Sequence, residues 1–386
     1  MNKYNTILGQ MLGLISRSVF EKLVKEHKTE HGAKGFRSWT QFVVMLYGQI
    51  TNQHGLRSLE WGMNTLRNIW YHLGITNKER QIKRSTLAYA NANRCSDLFK
   101  ALFEHLLSKA QSLKNTHGFR FKNPLYSIDS TIVVLCMTLF PWAVFRKNKG
   151  GVKLTVKLDH HGKIPCFVVE SEAREHDSKK IREVPYQAGD VVTFDRGYTD
   201  YQYFLMLCMA KVWFVTRLKK NVVYKRVKKN PVKKGGVIIS DYEIIIPSMS
   251  SEIRLRKIIV LDPETRERIV VLTNNLKWCA ETVARVYKDR WQIELFFKAM
   301  KQNLKITRFY GNSKNAVMTQ IWIALIMYLL FYILKMQSRN WKLSFTNFIS
   351  VIKTILFQRI SLTEWLCGTS PPFKDKKHGT DNLEYA

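Results

Sequence analysis

Apolar residues recur three and four positions apart through most of the first 118 residues. ILGQMLGLI, WTQFVVMLYGQI, LRSLEWGMNTL and DLFKALFEHLLSKAQSL all carry this spacing, which predicts a helical N-terminal region. Between the second and third of these, Asn52 to Gly55 is a short polar break of the kind a helix-turn-helix uses. The helix after the break, with Arg57 and Arg67, is placed to enter a DNA major groove, and a solvated corner of a helical bundle would look the same. Further on, KERQIKRSTLAYANANR is basic, and Ser85 or Thr86 is a candidate cap for the helix that follows.

From Phe119 the period becomes alternating. LYSID (Leu125 to Asp129) predicts a short strand ending in a carboxylate. In VKLTVKLD, Val152, Leu154, Val156 and Leu158 are expected inward, and Lys153, Thr155 and Lys157 outward. HHGK reads as a turn, IPCFVVE as a returning strand, Ser178 to Val184 as a helix and DVVTFDRG as a strand ending in Asp195. TDYQYFLMLCMAK then reads as helix and VWFVTRLK as strand. GVIISDYEIIIP, EIRLRKIIVLD and RERIVVLTNN add three strands before Lys277 to Leu304 returns to helix. Three strands, a helix, a strand, a helix, a strand and a later helix is the order of an RNase H-like core. The expected fold class is α/β, a mixed RNase H-like sheet interrupted by a β-rich insertion, with helical regions at both ends. The expected divisions are 1–118, 119–217, 218–275, 276–336 and 337–386. The last has one or two helices between Trp341 and Cys367 and a polar, mobile tail, SPPFKDKKHGTDNLEYA.

Charge narrows the choice of partner. Sixty-two Lys and Arg against 30 Asp and Glu give a formal net charge of +32, and a surface that positive calls for a polyanion, nucleic acid first. An anionic membrane would favour cations gathered on one amphipathic helix, whereas these are spread along the chain. Arg217 to Gly236 holds nine basic residues and no acid, and reads as an exposed loop or strand edge presenting Lys219, Lys220, Lys225, Arg226, Lys228 and Lys229. The most apolar run, Ile321 to Leu334, is shorter than the roughly 18 residues a span needs, and is expected to be buried in the protein or in a dimer interface. No signal peptide is read at the N-terminus. The six cysteines (Cys95, Cys136, Cys166, Cys208, Cys279 and Cys367) form no Cys-x-x-Cys pair, so each is expected as a buried small side chain in a reducing cytosol.

The chemistry concentrates in YKDRWQIELFFKAMK, Tyr287 to Lys301. On one continuous helix, Tyr287, Arg290, Glu294, Lys298 and Lys301 fall within about 80° of arc. Ile293, Phe296, Phe297, Met300 and Leu304 form the opposite, apolar stripe. Ion pairs on a solvated face account for the charges but leave the phenol unexplained. Asp129 and Asp195, each at a strand end, suit a turn or a cap when taken singly. With Glu294 they make three carboxylates, which is what phosphodiester cleavage by two divalent ions about 3.5–4 Å apart requires. Asp159, His160 and His161 read as a turn rather than a metal site, and His176 and Asp177 receive no role. No Gly-x-Ser-x-Gly elbow supports a serine hydrolase.

Tyr-x2-Arg-x3-Glu-x6-Lys resembles the signature of the insertion sequence 4 family of bacterial DDE transposases. The segments SIDSTIV, FPWAVFRKNKGGVKLTVKLD, VVTFDRGYTDY and RSTLAYANANR are also similar, over most of residues 120 to 335. The resemblance implies a metal-binding triad of Asp129, Asp195 and Glu294 with two Mg2+, for which Mn2+ would substitute. It implies that Tyr287, Arg290 and Lys301 grip phosphates and a distorted base, with Lys298 beside them. The partners it implies are double-stranded DNA, as terminal inverted repeats and as target, and a second copy in a paired-end complex. The reaction would be cut-and-paste transposition through a hairpin, in a bacterial cytoplasm at the nucleoid and away from membrane. Some relatives carry a Trp where this chain has Ile269, leaving base stacking to Trp278, Trp291 or Trp213. A stand-alone metal-dependent nuclease and a non-catalytic DNA-binding protein are the alternatives.

Overall fold

The computed structural model describes residues 5–33, 35–76, 81–113, 117–136, 138–146, 149–172, 181–233, 235–249, 253–304, 309–338 and 343–368. The chain divides into two compact units, 1–113 with 301–386 and 114–300. The first begins with α1 (Ile7–Leu12), α2 (Arg17–Glu26), α3 (Ser38–Thr51) and α4 (Leu56–Thr65). A 3-10 turn (Arg67–Leu73), α5 (Arg84–Asn93) and α6 (Asp97–Gln111) follow. The polar break holds: α3 ends on Asn52 in the left-handed region, at φ 55°. Arg67, however, lies beyond α4 in the 3-10 turn, its guanidinium 5.8 Å from the Trp70 ring, so it is not on the second helix of the pair. Neither Ser85 nor Thr86 caps α5. The extended residue before that helix is Lys83, and both hydroxyl residues lie in its first turn.

The second unit is built on one sheet. Among the described residues its strands are β1 (Leu125–Leu135), β2 (Val144–Arg146), β3 (Lys149–Asp159), β4 (Ile164–Glu172) and β5 (Val191–Phe194). Then come α7 (Tyr201–Met209), β6 (Trp213–Arg217), β7 (Lys225–Lys229), β8 (Ile238–Ile245), β9 (Arg254–Leu261) and β10 (Arg268–Thr273). Two helices, α8 (Ala280–Asp289) and α9 (Gln292–Leu304, counted in this unit as far as Met300), close the series. The strand order is β2-β3-β1-β5-β6-β10-β9-β8-β7, with β4 paired to β3. The β4, β3, β1, β5, β6 portion, antiparallel up to β1 and parallel from β1 to β6, is the RNase H-like core. The β-rich segment does not form a separate layer, since β10 pairs with β6 and the same sheet continues outward to β7. Of the helix expected at Ser178 to Val184, the described part is a 3-10 turn, Ile181–Glu183; 173–180, with His176 and Asp177, lies outside the described residues.

Residue parity along the strands separates two apolar faces. Ile128, Val192, Phe194 and Phe214 pack with Phe204 and Leu207 of α7 on one side. Leu125, Val191, Val215, Ile258 and Val271 pack with Ala280, Val283 and Val286 of α8 on the other. β5 is therefore buried on both faces, as a strand in a parallel layer must be. β3 departs from the expected half-exposed alternation. Lys153, Thr155 and Lys157 are all buried. The Lys157 ammonium donates to the Pro185 carbonyl at 2.6 Å, with Asp190 3.6 Å away and the Tyr126 ring at 3.9 Å.

The first unit is completed by α10 (Lys314–Gln337), α11 (Phe345–Ile355) and α12 (Leu362–Cys367). α10 is apolar all round and every side chain from Ala316 to Leu334 is buried, with α3, α5, α6 and α11 against it. At 24 residues it is longer than its apolar run suggested, and by length and composition alone it would cross a bilayer; its apolar stretch is instead covered by protein. Asn315 ties its start to α5, donating to the Asn91 and Arg94 carbonyls at 2.8 and 2.6 Å. The tail after Gly368 lies outside the described residues. No cysteine is fully buried: Cys95, Cys136 and Cys279 are exposed and the other three partly so.

Candidate active site

β1 and β5 run parallel with Ser127 opposite Thr193 and Ile128 opposite Phe194. The next residue on each chain is Asp129 and Asp195. Asp129 is not at a strand end, because the β-formers Thr131 to Leu135 prolong β1 against β3 after β5 has stopped. β5 and β6 also run parallel, with Phe194 opposite Thr216, which brings Arg217 beside Asp195. By parity, Asp129, Asp195 and Arg217 lie on the face of Leu125, Val191 and Val215, the face covered by α8. Ligand sites in parallel sheets form where the parallel pairing ends, and that of β1 with β5 stops just before the two acids. Arg217 did not stand out in the sequence because it opens a basic run; its two-residue spacing from Val215 was the available signal.

The signature does not lie on one straight helix. α8 ends at Asp289 and α9 starts at Gln292, with three-residue bonds (Arg290 N–H to Tyr287 O, Trp291 N–H to Lys288 O, Ile293 N–H to Arg290 O) turning the corner. The single polar face expected from Tyr287 to Lys301 is thus split. Tyr287 belongs to α8, Arg290 to the corner, and Glu294, Lys298 and Lys301 to one face of α9. Lys298 and Lys301 are exposed, while Ile293, Phe296, Phe297 and Met300 are buried.

Arg290 is the hub. Its Nη2 donates to Glu294 at 2.8 Å and its guanidinium lies 5.8 Å from the Tyr287 ring. Burial disfavours its charge, but the Glu294 bond and the charges of Tyr287, Glu294 and Asp195 hold it above the usual arginine range. Its Nε is buried with no hydrogen-bond partner, a donor left without an acceptor. Burial pushes the Asp129 carboxyl up to about 6. The Ser130 N–H, Arg290 and the Tyr198 hydroxyl oppose that push, and the charge of Glu294 adds to it. Ser130 N–H donates to Asp129 at 2.8 Å and Tyr198 O–H at 3.3 Å. Burial likewise raises Tyr287, which feels Arg290, Asp195 and Arg217.

All three acids therefore act electrostatically on groups of one cluster. As placed, they do not gather into a metal-holding set: among the described residues no three His, Cys, Asp or Glu side chains do. Arg290, a cation, pairs instead with the carboxylate of Glu294. The donors are nonetheless hard oxygens, and a dication would relieve both the burial of Asp129 and its repulsion by Glu294, so their chemistry suits such an ion. Other candidates lie at the rim. Arg196, Gly197, Lys219, Lys220 and Asn221 line a groove just beyond β5 and β6. Lys225, Arg226, Lys228 and Lys229 are exposed on β7, at the sheet's edge, where Lys228 faces Glu243 at 3.6 Å. Of the three tryptophans, Trp213 and Trp278 are half-buried against the cluster that includes α8, Trp278 stacked on Phe121, while Trp291 is 55% exposed at the corner.

Residues 120–330 match the family described as the transposase DDE domain, and residues 3–76 match a domain of unknown function, DUF4372. The y4zB protein of Sinorhizobium fredii, named for a transposase, is 32% identical over 71% of this chain and 77% of its own length. A protein of Geobacillus stearothermophilus named for the transposase of insertion sequence element IS5377 is 29% identical over 70% and 72%. One of Synechocystis, named for that of IS4SA, is 25% identical over 80% and 87%. Among solved structures, a piggyBac transposase synaptic complex with hairpin DNA aligns with a TM-score of 0.51 and 13% identity, over 99% of this chain and 88% of that one, which is a likeness of fold.

Proposed function

The chain belongs to the DDE-domain transposases of insertion sequences, and on that premise we propose which residues carry its DNA cleavage and strand transfer. The observation that supports the assignment most is the register that puts Asp129 and Asp195 side by side under α8, with Glu294 within electrostatic reach of Asp129. These three would hold the divalent ions on which the family depends, two Mg2+ with Mn2+ as a substitute. When bound, the ions activate the attacking oxygen and stabilise the leaving one. The chain's own part is to position. Arg290, with its unsatisfied Nε, and Arg217 offer charged donors to the phosphate at the cleaved bond. Tyr287 borders them, and Lys298 and Lys301 continue the basic face along α9. Trp291, the exposed tryptophan of the three, is the one we assign to stacking a displaced terminal base, the step a hairpin route needs.

The substrates are the inverted-repeat ends of the element and a target duplex, held by two copies of the chain in a paired-end complex in the bacterial cytoplasm at the nucleoid, away from membrane. The test is cleavage of a labelled end-plus-flank duplex in magnesium by the wild type and by Asp129→Asn, Asp195→Asn and Glu294→Gln. A wild type that cuts and three variants that do not would bear the assignment out; a variant that cuts normally removes its residue.

The basic edge has its own test. Replacing Lys219, Lys220, Lys225, Arg226, Lys228 and Lys229 by serine is expected to weaken end binding and make log K against log salt shallower by about 0.9 for each phosphate no longer neutralised. An unchanged slope would take β7 and its approach off the DNA path.

A further inference from the structure

The corner between α8 and α9 needs a physical cause, because YKDRWQIELFF contains neither Gly nor Pro. The cause lies across the sheet. The Asp289 carboxylate, at the last residue of α8, accepts from His160 Nδ1 at 2.6 Å and, through its other oxygen, from Gln292 Nε2 at 3.4 Å. It therefore spans the break and anchors it. The far side of the same imidazole meets Ser127, with His160 Nε2 and the Ser127 hydroxyl 2.6 Å apart. His160 is itself fixed, its N–H donating to the Leu125 carbonyl at 3.0 Å. Against the effect of burial, the His160 bond holds Asp289 below the usual carboxylate range, with smaller help from Gln292 and Lys163.

Ser, His and Asp in a chain invite a nucleophilic reading, but Ser127 is fully buried in β1 and cannot meet a substrate. What the chain of bonds does is geometric. Ser127 lies two residues before Asp129 on the same face of β1, and Asp289 immediately precedes Arg290. We infer that His160 is a positioning residue: it clasps the corner of the signature to the strand bearing Asp129, and so sets where Arg290 and Glu294 stand relative to that carboxylate. The inference rests on the assignment of these three as the reacting cluster. Supporting partners of this kind typically change activity by ~10–100-fold when removed, and misplacement by an ångström has a similar effect.

The experiment has two independent readings. The first is hydrogen exchange of peptides covering 287–295 in the free protein; the second is single-turnover end cleavage with end affinity measured separately. His160→Ala is expected to speed exchange at the corner at least about tenfold, to slow cleavage ~10–100-fold and to leave end affinity unchanged. His160→Asn, whose amide nitrogen replaces Nδ1, should restore both, whereas His160→Gln, which reaches toward Ser127 instead, should not. Should His160→Ala fail to fold, Asp289→Leu, of similar size but with no acceptor for His160 Nδ1, makes the same test. Unchanged exchange at 287–295, or a rise spread equally over β1, β3 and β5, would overturn the inference, the latter because it shows only lost stability. A wild type that cuts no end duplex would defeat the site assignment, while the exchange measurement would still decide the role of His160.

Discussion

Glu294→Gln is expected to reduce end cleavage on the order of 10^3-fold or more, while the variant binds element ends as tightly as the wild type or more so. Gln has the shape of Glu and keeps an oxygen that accepts from Arg290 Nη2, so the 2.8 Å bond survives. What it removes is a negative charge on a hard oxygen donor, which no amide supplies to a divalent ion. Two effects oppose each other in folding. The Arg290 guanidinium is 13% exposed and loses a charged partner, at a cost of about 1–2 kcal/mol. The mutual repulsion of Asp129 and Glu294 is relieved at the same time. The net change in stability should therefore be small against the loss of rate. Binding should not suffer, since a site with one carboxylate fewer repels a phosphate less. The informative comparison is with Arg290→Ala, which leaves the acid but frees it. A Glu294→Gln protein that cuts within threefold of wild type would make Glu294 a structural partner of Arg290 and nothing more.

The parts of this arrangement that were legible in the sequence are those that depend on local pattern. Alternation located β3, a buried apolar run located β5, and the strand order gave an RNase H-like sheet. What escaped was set by distant contacts. The corner at Arg290 and Trp291 is written in no local breaker; it depends on His160, more than a hundred positions earlier, which read as a turn residue. Lys157 looked solvent-facing because its partners, Asp190 and Tyr126, arrive from other strands. Asp129 looked terminal because a strand's length is decided by its neighbours, and β3 carries β1 onward after β5 has stopped. The pairing of Glu294 with Arg290 was legible as a four-residue spacing on a helix. That both partners would also act on the charge of Asp129 was not, since this follows from how close Asp129 comes to the same cluster.

Asp129→Asn is expected to abolish cleavage and yet to make the metal-free protein more stable at neutral pH. The sign follows from which state holds the proton more tightly. A carboxyl pushed up to about 6 by burial binds its proton more tightly folded than unfolded, where its value is about 3.9. Between those two values the native state holds more protons, so stability falls as pH rises. The favourable contribution is complete below about pH 4 and gone above about pH 6–7. A rise from about 3.9 to about 6 corresponds to about 3 kcal/mol, an upper figure because Asp129 keeps some contact with water. Asparagine does not ionise, and its carbonyl still accepts from Ser130 N–H and Tyr198 O–H, so the mutant should show no such fall. Unfolding free energies from urea melts of the two proteins should thus converge near pH 4 and separate by up to about 2–3 kcal/mol at pH 7.5. Magnesium should raise the melting temperature of the wild type and leave that of Asp129→Asn nearly unchanged, because only the first has the anionic donor that couples ion binding to folding. A stability difference that ignored both pH and magnesium would show that Asp129 is held as an ordinary strand residue, and the site would lose the destabilised acid that marks it.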